Sequence, residues 1–494
     1  MNSPTKQYDI ILIGAGIMSA TLATLIHKLQ PDWKICIIER ADTVSIESSD
    51  ALNNAGTGHS ARCELNYTPQ NSCGTIAITK AIEIMESFEV SKQFWASLVQ
   101  EWMIGSPESF INPVPHMSLV RWDDVQYLHK RYETLQQNPL FTPMQYSTDL
   151  QQITEWMPLI MSWRNNDKSF AATRSDMGTD VNFWELTRAM VASLQANSAI
   201  DLMLHHHVSD LNQQIDQLWT VSMSDTHDRT KSTITGKFVF WWAGGWALPL
   251  LEKSGIKEIK GYGGFPIDGQ WLICRNPEIV SQHWGKVYGK SWVDDPPMSV
   301  PHLDTRIIDG EQCLLFWPFA GFTTKFLKAW SVWDLPMSVR PHNIMAMIAA
   351  WRHNLPLTSY LIKQIVQNMD DRLAALREYM PTAQMQDWEL EDAGKRVQII
   401  KSDPKQWGIL QFGTEVVTSA DRSISWLLWA SPWASTAVSV MIELLQDCFP
   451  EQMNSSSWTE TMKQMIPSYG QTLTHNPQLT QQVRHWTSQV LKIW

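Results

Sequence analysis

YDIILIGAGIMSATLATLIHKLQPDWKICIIER, residues 8–40, is the stretch on which the fold turns. The apolar run from Tyr8 to Ile13 reads as a buried strand, Ser19 to Leu29 as a helix, and Lys34 to Glu39 as a second strand, so together they form one βαβ unit. Between first strand and helix stand Gly14-Ala15-Gly16, with the small Ser19 where the third glycine of G-x-G-x-x-G falls. Gly14 can turn tightly, and Gly16 lets the backbone approach a pyrophosphate whose charge meets the N–H groups and positive dipole of the helix start. Glu39 ends the second strand, where a carboxylate can accept hydrogen bonds from ribose hydroxyls. The combination predicts a dinucleotide site at the carboxyl ends of a parallel sheet.

Working outward, Asn182 to Ala196 has helical periodicity, Met203 to Leu211 and Leu218 to Met223 alternate as a strand pair, and Phe238 to Ala243 reads as a buried parallel strand returning to the first sheet. Helix, β-meander and returning strand predict an α/β fold: a discontinuous, Rossmann-like FAD-binding domain plus an α+β substrate domain. The expected boundaries are 1–90, 180–265 and 405–450 for the first, 91–179 and 266–404 for the second, and 451–494 for a helical tail. The size of the insertion and the β-meander favour FAD over NAD. The segment NNAGTGHSARCELNYTP (53–69) has no strong period and reads as a loop across the cofactor, contributing Thr57, Gly58 and His59; Gly244-Gly245 ends the returning strand on the same side.

At 494 residues with a formal charge of −11, the chain exceeds the size of one core and lacks the basic footprint of a nucleic-acid partner. Six dispersed cysteines contain no C-x-x-C pair, and adjacent His205-His206-His207 would alternate faces of a strand, so no metal is expected and this triplet reads as surface. The polar start MNSPTKQYD carries no apolar signal segment, which points to a cytoplasmic protein. The uncharged stretch between Arg422 and Glu443 is broken by Pro432 and five serines and one threonine, which suits a loop plus helix better than a membrane span. Pro477 to Trp494 reads as a docked terminal helix, with a membrane-surface helix as the alternative.

Several strings, IGAGIMSATL, NNAGTGHSARCELNYTP, FINPVPHMS, GTDVNF, PPMSVPHLDTR, LQFGTEVVTSAD and ASPWASTAV, span nearly the whole chain and closely resemble malate:quinone oxidoreductases. The resemblance implies a glutathione-reductase-type FAD domain, oxidation of (S)-malate to oxaloacetate, electron transfer to quinone, and peripheral attachment to the inner face of the cell membrane. It implies no oligomeric state.

A 2-hydroxy dicarboxylate needs a base for its hydroxyl proton and cations for its carboxylates. His116 and His302 are expected in Pro-bracketed loops and are the candidate bases. Arg306 and Arg174 are the candidates for bidentate carboxylate recognition, with Lys325 in reserve. The chain departs from the family pattern in carrying tryptophan where glycine is usual: Trp163, Trp184, Trp242, Trp246, Trp317, Trp330, Trp351, Trp429 and Trp433. Two alternatives follow: a flavin oxidase or dehydrogenase of another 2-hydroxy acid, and an inactive copy whose tryptophans block FAD.

Overall fold

A computed structural model describes residues 5–164, 169–242, 254, 256, 261–290, 300–328, 331–411, 415–428 and 433–494. Strand β1 (Gln7–Ile13), helix α1 (Ile17–Leu29) and strand β2 (Ile35–Ile38) form the expected βαβ unit. β1 lies between two parallel neighbours, β2 and the strand Lys231–Trp241, whose last residues pair with Ile13. On the far side of β2 lies Ile200–Met203, again parallel. The strands His206–Gln213 and Trp219–Asp225 make the antiparallel meander that joins this sheet to Lys231–Trp241. Burial is the physical reason for the parallel core: β2 is apolar at all four positions, and only a strand covered on both faces tolerates that.

Helices α1, Thr79–Gln100, Phe183–Gln195 and Ala437–Cys448 cover one face of this sheet in a single apolar cluster. The helix expected at 182–196 is thus present, and the stretch 422–443 divides into the strand Ile424–Leu428 and the start of Ala437–Cys448. No described helix is long and apolar enough to cross a membrane. The terminal helix Pro477–Leu491 docks, burying Val483 and Leu491 against the first domain, and Arg484 Nε reaches Glu89 at 2.8 Å.

The second sheet has ten strands running from Ile409–Gln411 through Arg396–Lys401, Gly263–Cys274, Glu311–Phe322, His302–Ile308, Lys286–Tyr288 and His116–Arg121 to Phe170–Ser175 and Gln145–Ser147, with Glu389–Asp392 alongside. Its two faces lead into different cores. Leu303, Leu314 and Phe316 point into a cluster with Ile153, Leu159 and Leu376, while Trp271, Leu315 and Trp317 point into one containing Leu52 and Ala55. The second face is therefore the one turned toward the 53–69 loop.

The tryptophans distribute unevenly. Trp102, Trp122, Trp163 and Trp407 take φ of 59°, 58°, 63° and 67°, a left-handed region that a Cβ-bearing ring occupies only under strain. Trp242, Trp317 and Trp351 are buried or half-buried, Trp184 is half-buried beneath the Arg188 guanidinium, and Trp433 opens a short helical turn. Trp246, Trp330 and Trp429 lie outside the described residues.

Candidate active site

The crevice at the start of α1 takes its turn and its acidic wall from the first forty residues. Gly14 adopts φ 94°, which turns the chain from β1 into the helix. A Cβ on Gly16 would come within 3.1 Å of the Trp242 indole and 3.2 Å of Ser49 Oγ, so only glycine leaves the backbone bare there. Glu39 takes the Ala15 N–H at 2.8 Å on one carboxylate oxygen and the Ala41 N–H at 3.0 Å on the other, which fixes the carboxylate at the crevice wall while each oxygen keeps a lone pair for a ligand hydroxyl. Ser19 is fully buried inside α1 and does not line the opening. A cavity of about 390 Å³ remains, walled by Gly14–Gly16, Glu39–Asp42, Ser45–Ser49 and Trp242, a size in the range of small-ligand pockets. His206 and His207, expected on the surface, line it as well, because the meander begins beside Glu39. These residues fit the adenosine diphosphate half of FAD. The indole of Trp242 narrows the opening without closing it. Gly244 and Gly245 fall outside the described residues.

From this crevice the chain runs through the loop that the sequence places across the cofactor. Gly56 has φ 56° with the Arg306 guanidinium packed where a Cβ would stand, and Gly58 lies against Thr179 and Phe88. Thr57 Oγ1 is 3.0 Å from the Tyr288 hydroxyl. His59 Nδ1 is 2.6 Å from Glu64 Oε1. Burial pushes the Glu64 carboxyl up, but His59 and His116 outweigh it and bring it down to about 2.

The face of the second sheet beneath this loop carries a continuous polar row. His302 Nδ1 lies 2.8 Å from Asp304 Oδ2, and the ring stacks on Tyr288 at 4.4 Å with 6° between planes. Burial raises the Asp304 carboxyl, yet His302 and Lys286 reverse this and hold it below its ordinary value. With Nδ1–H donating to that carboxylate, Nε2 carries the lone pair, and it has no hydrogen-bond partner among the described residues.

The other predicted residues fall elsewhere. His116 is buried on the same face, where Thr179 N donates to its Nε2 at 3.2 Å, and burial lowers its pKa to about 4. Cys63, Glu64 and His116 offer ligand atoms within 4.8 Å of one another. Arg306 is fully buried: its Nε lies 2.8 Å from Asp180 Oδ1 and its NH1 donates to the Ala51 carbonyl at 2.7 Å. Lys286 meets the same Asp180 oxygen at 2.9 Å and the Ala55 carbonyl at 2.8 Å. Both cations are thus committed to holding the loop on the sheet. Arg174 pairs with Asp176 at 2.7 Å and alternates with Thr173 and Ser175, which leaves it on the face opposite His116. Lys325 is half-buried near Asp334.

Sequence reasoning passed over Arg396. It opens the strand Arg396–Lys401, half-buried, with its guanidinium 5.5 Å from the Trp317 ring and no ion-pair partner among the described residues. Trp317 touches Trp271 (4.7 Å between centroids), and Trp271 touches His302 (5.9 Å), so an aromatic floor connects cation and base. Burial lowers the Arg396 pKa, partly offset by Tyr288. No sequence signal separates Arg396 from other arginines, since what distinguishes it is the lack of a carboxylate that folding could have supplied.

A family model described as malate:quinone oxidoreductase matches residues 6–493. A probable malate:quinone oxidoreductase of Flavobacterium johnsoniae is 53% identical over 494 residues, covering 100% of this chain and 99% of the relative. One from Pseudomonas aeruginosa, probable malate:quinone oxidoreductase 1, is 51% identical over 490 residues, with 99% and 94% covered. Among solved structures, glycine oxidase from Geobacillus kaustophilus aligns with a TM-score of 0.59 at 15% identity, covering 90% of this chain and 95% of that one. L-alpha-glycerophosphate oxidase from Mycoplasma pneumoniae, solved with FAD bound, aligns at 0.57 and 12% identity, covering 90% and 95%. At such identities the structures bear on the fold alone.

Proposed function

The chain belongs to the malate:quinone oxidoreductase family, and from that membership we propose how its residues carry out FAD-dependent oxidation of (S)-malate to oxaloacetate with electrons passing to quinone. When bound, FAD supplies the two-electron acceptor. Gly14, Gly16 and Glu39 hold its adenosine diphosphate half, and Thr57, Gly58 and His59 lie along the loop beyond.

His302 takes the malate hydroxyl proton at Nε2, because Asp304 holds Nδ1–H and steadies the imidazolium that forms. Arg396 binds a substrate carboxylate with its planar fork. Arg306 and Lys286 position the loop over the sheet, and His116, with its lone pair taken by Thr179 N–H, is a positioning residue. Arg174 and Lys325 take no part in substrate binding in this reading. The protein works at the cytoplasmic face of the membrane, where its quinone is dissolved.

The observation that carries this reading is the Asp304–His302 pair with an open Nε2 on the same sheet face as an unpartnered arginine. Anaerobic addition of malate to the FAD-loaded protein tests it: bleaching of the flavin band in wild type and its loss in Arg396→Leu, at unchanged FAD content, is the expected result. Equal bleaching in both removes Arg396 from the site, and peroxide formation without quinone would mark an oxidase instead.

A further inference from the structure

The helical layer on the second sheet has an unusual surface. Of the 19 large apolar side chains exposed among the described residues, ten fall in the 35-residue stretch 332–366. Helix Ile344–His353 buries Ala346, Met347 and Ala350 against the sheet, and helix Leu355–Ile365 buries Leu357 and Leu361. The opposite stripes, which a water-facing helix makes polar, instead carry Met345, Ile348, Leu355 and Ile365, each more than half exposed. Trp333 and Met337, 64% and 67% exposed, stand at the start of and within the preceding helix Asp334–Ser338. Scattered apolar residues need no explanation, but a clustered set with an indole at its edge does.

Charge identifies what covers it. Residues 331–368 contain Arg340, Arg352 and Lys363 against one acidic residue, Asp334, a local charge of +3 − 1 = +2 in a chain of −11. Asp334 is buried and accepts the Phe326 N–H, so the exposed charge of the layer is positive. Arg352 and Lys363 are exposed and have no ion-pair partner among the described residues. Apolar side chains, a tryptophan and cations on one face, with no helix able to cross a membrane, are the attributes of an interfacial surface that settles into the headgroup region. A second copy meeting this face through the same face would set its +2 against another +2, whereas an anionic lipid surface complements it.

We infer that the layer formed by residues 332–366 docks onto an anionic phospholipid surface. This rests on the quinone reading above and names the face through which it operates. The same helices pack on the strands that carry Trp271, Trp317 and Arg396, and their core is continuous with Leu52 and Ala55, so a lipid-dissolved acceptor meets a layer on the sheet face that carries the active site.

Flotation of the full-length, FAD-loaded protein with vesicles of phosphatidylglycerol and phosphatidylcholine tests this, with phosphatidylcholine alone as control. Wild type is expected to float with the anionic vesicles. The double substitution I348S/I365S, at exposed positions outside the catalytic residues, should lower vesicle partitioning at least tenfold and leave malate-dependent reduction of a water-soluble dye unchanged. R352S/K363S should abolish the preference for phosphatidylglycerol. Undiminished flotation of both variants overturns the proposal, as does a wild-type dimer in light scattering that I348S/I365S dissociates. Absence of dye reduction in wild type would instead strike the redox reading, since flotation does not depend on it.

Discussion

The crevice at the head of α1 and the polar row on the second sheet both await charged groups, yet they are made in opposite ways. The crevice takes its turn, helix start and acidic wall from residues 14–39, with Trp242 and the meander leaning on it. The polar row draws His116, Lys286, His302 and Arg396 from four strands spread between residues 116 and 401. A locally built site is tuned by backbone conformation, and one assembled across strands is tuned by which charges find partners.

The largest effect that would sharpen this contrast is at His302. His302→Gln is expected to lower kcat by about 10²–10⁴-fold, with FAD content unaltered, because the base is lost and the crevice is untouched. Stopped-flow flavin reduction by malate measures it. Loss of FAD in the same variant would break the separation of the two regions.

Arg306→Leu is expected to destabilise by about 1–3 kcal/mol, since Lys286 still balances Asp180 but the buried carbonyls of Ala51 and Asn54 lose their donor. Urea denaturation reads this directly. Arg396→Leu should leave the denaturation midpoint within about 0.5 kcal/mol, and that difference separates a structural arginine from one held for a ligand.

Acid should loosen the sheet side. Burial lowers His116, and His283 whose Nε2 lies 3.3 Å from the Leu303 carbonyl, to about 4, against an ordinary value near 6.5, so the folded protein binds fewer protons than the unfolded chain between those limits. Stability contributed by each neutral ring is therefore present above pH ~6.5 and is lost as pH falls toward about 4, by up to about 3 kcal/mol each. In His116→Gln the dependence of unfolding free energy on pH across that window should fall by about one proton's worth. An unchanged slope would mean His116 is not held neutral.

The crevice offers a smaller, paired test. Gly16→Ala should weaken FAD binding by about 1–3 kcal/mol, because its Cβ meets Trp242 and Ser49. Trp242→Gly should tighten it and rescue Gly16→Ala. Fluorescence titration of the apoprotein with FAD checks both, and failure of the rescue would remove Trp242 from the crevice wall.

His302 and Arg306 were legible as neighbours four residues apart, but in a loop; they stand instead on one face of the strand His302–Ile308, because the segment pairs with Glu311–Phe322. Their division of labour was not legible. Asp180, from a two-stranded ribbon far away in sequence, claims Arg306, while no described carboxylate reaches Arg396. The Gly-rich turn, by contrast, needed nothing distant to be read, because its conformation follows from the residues within it. The histidine triplet erred for the complementary reason: alternation along a strand says which residues share a face, not that the meander folds back beside Glu39.

By itself the sequence determined the βαβ nucleotide turn, the meander, the docked terminal helix and the family, since each rests on short-range periodicity or on strings of neighbouring residues. Tertiary structure alone decided which imidazole keeps an open nitrogen, which guanidinium stays unpaired and which helices turn an apolar stripe outward. Those properties depend on partners brought together across hundreds of residues, and a linear pattern carries no record of the carboxylate that arrives or fails to arrive.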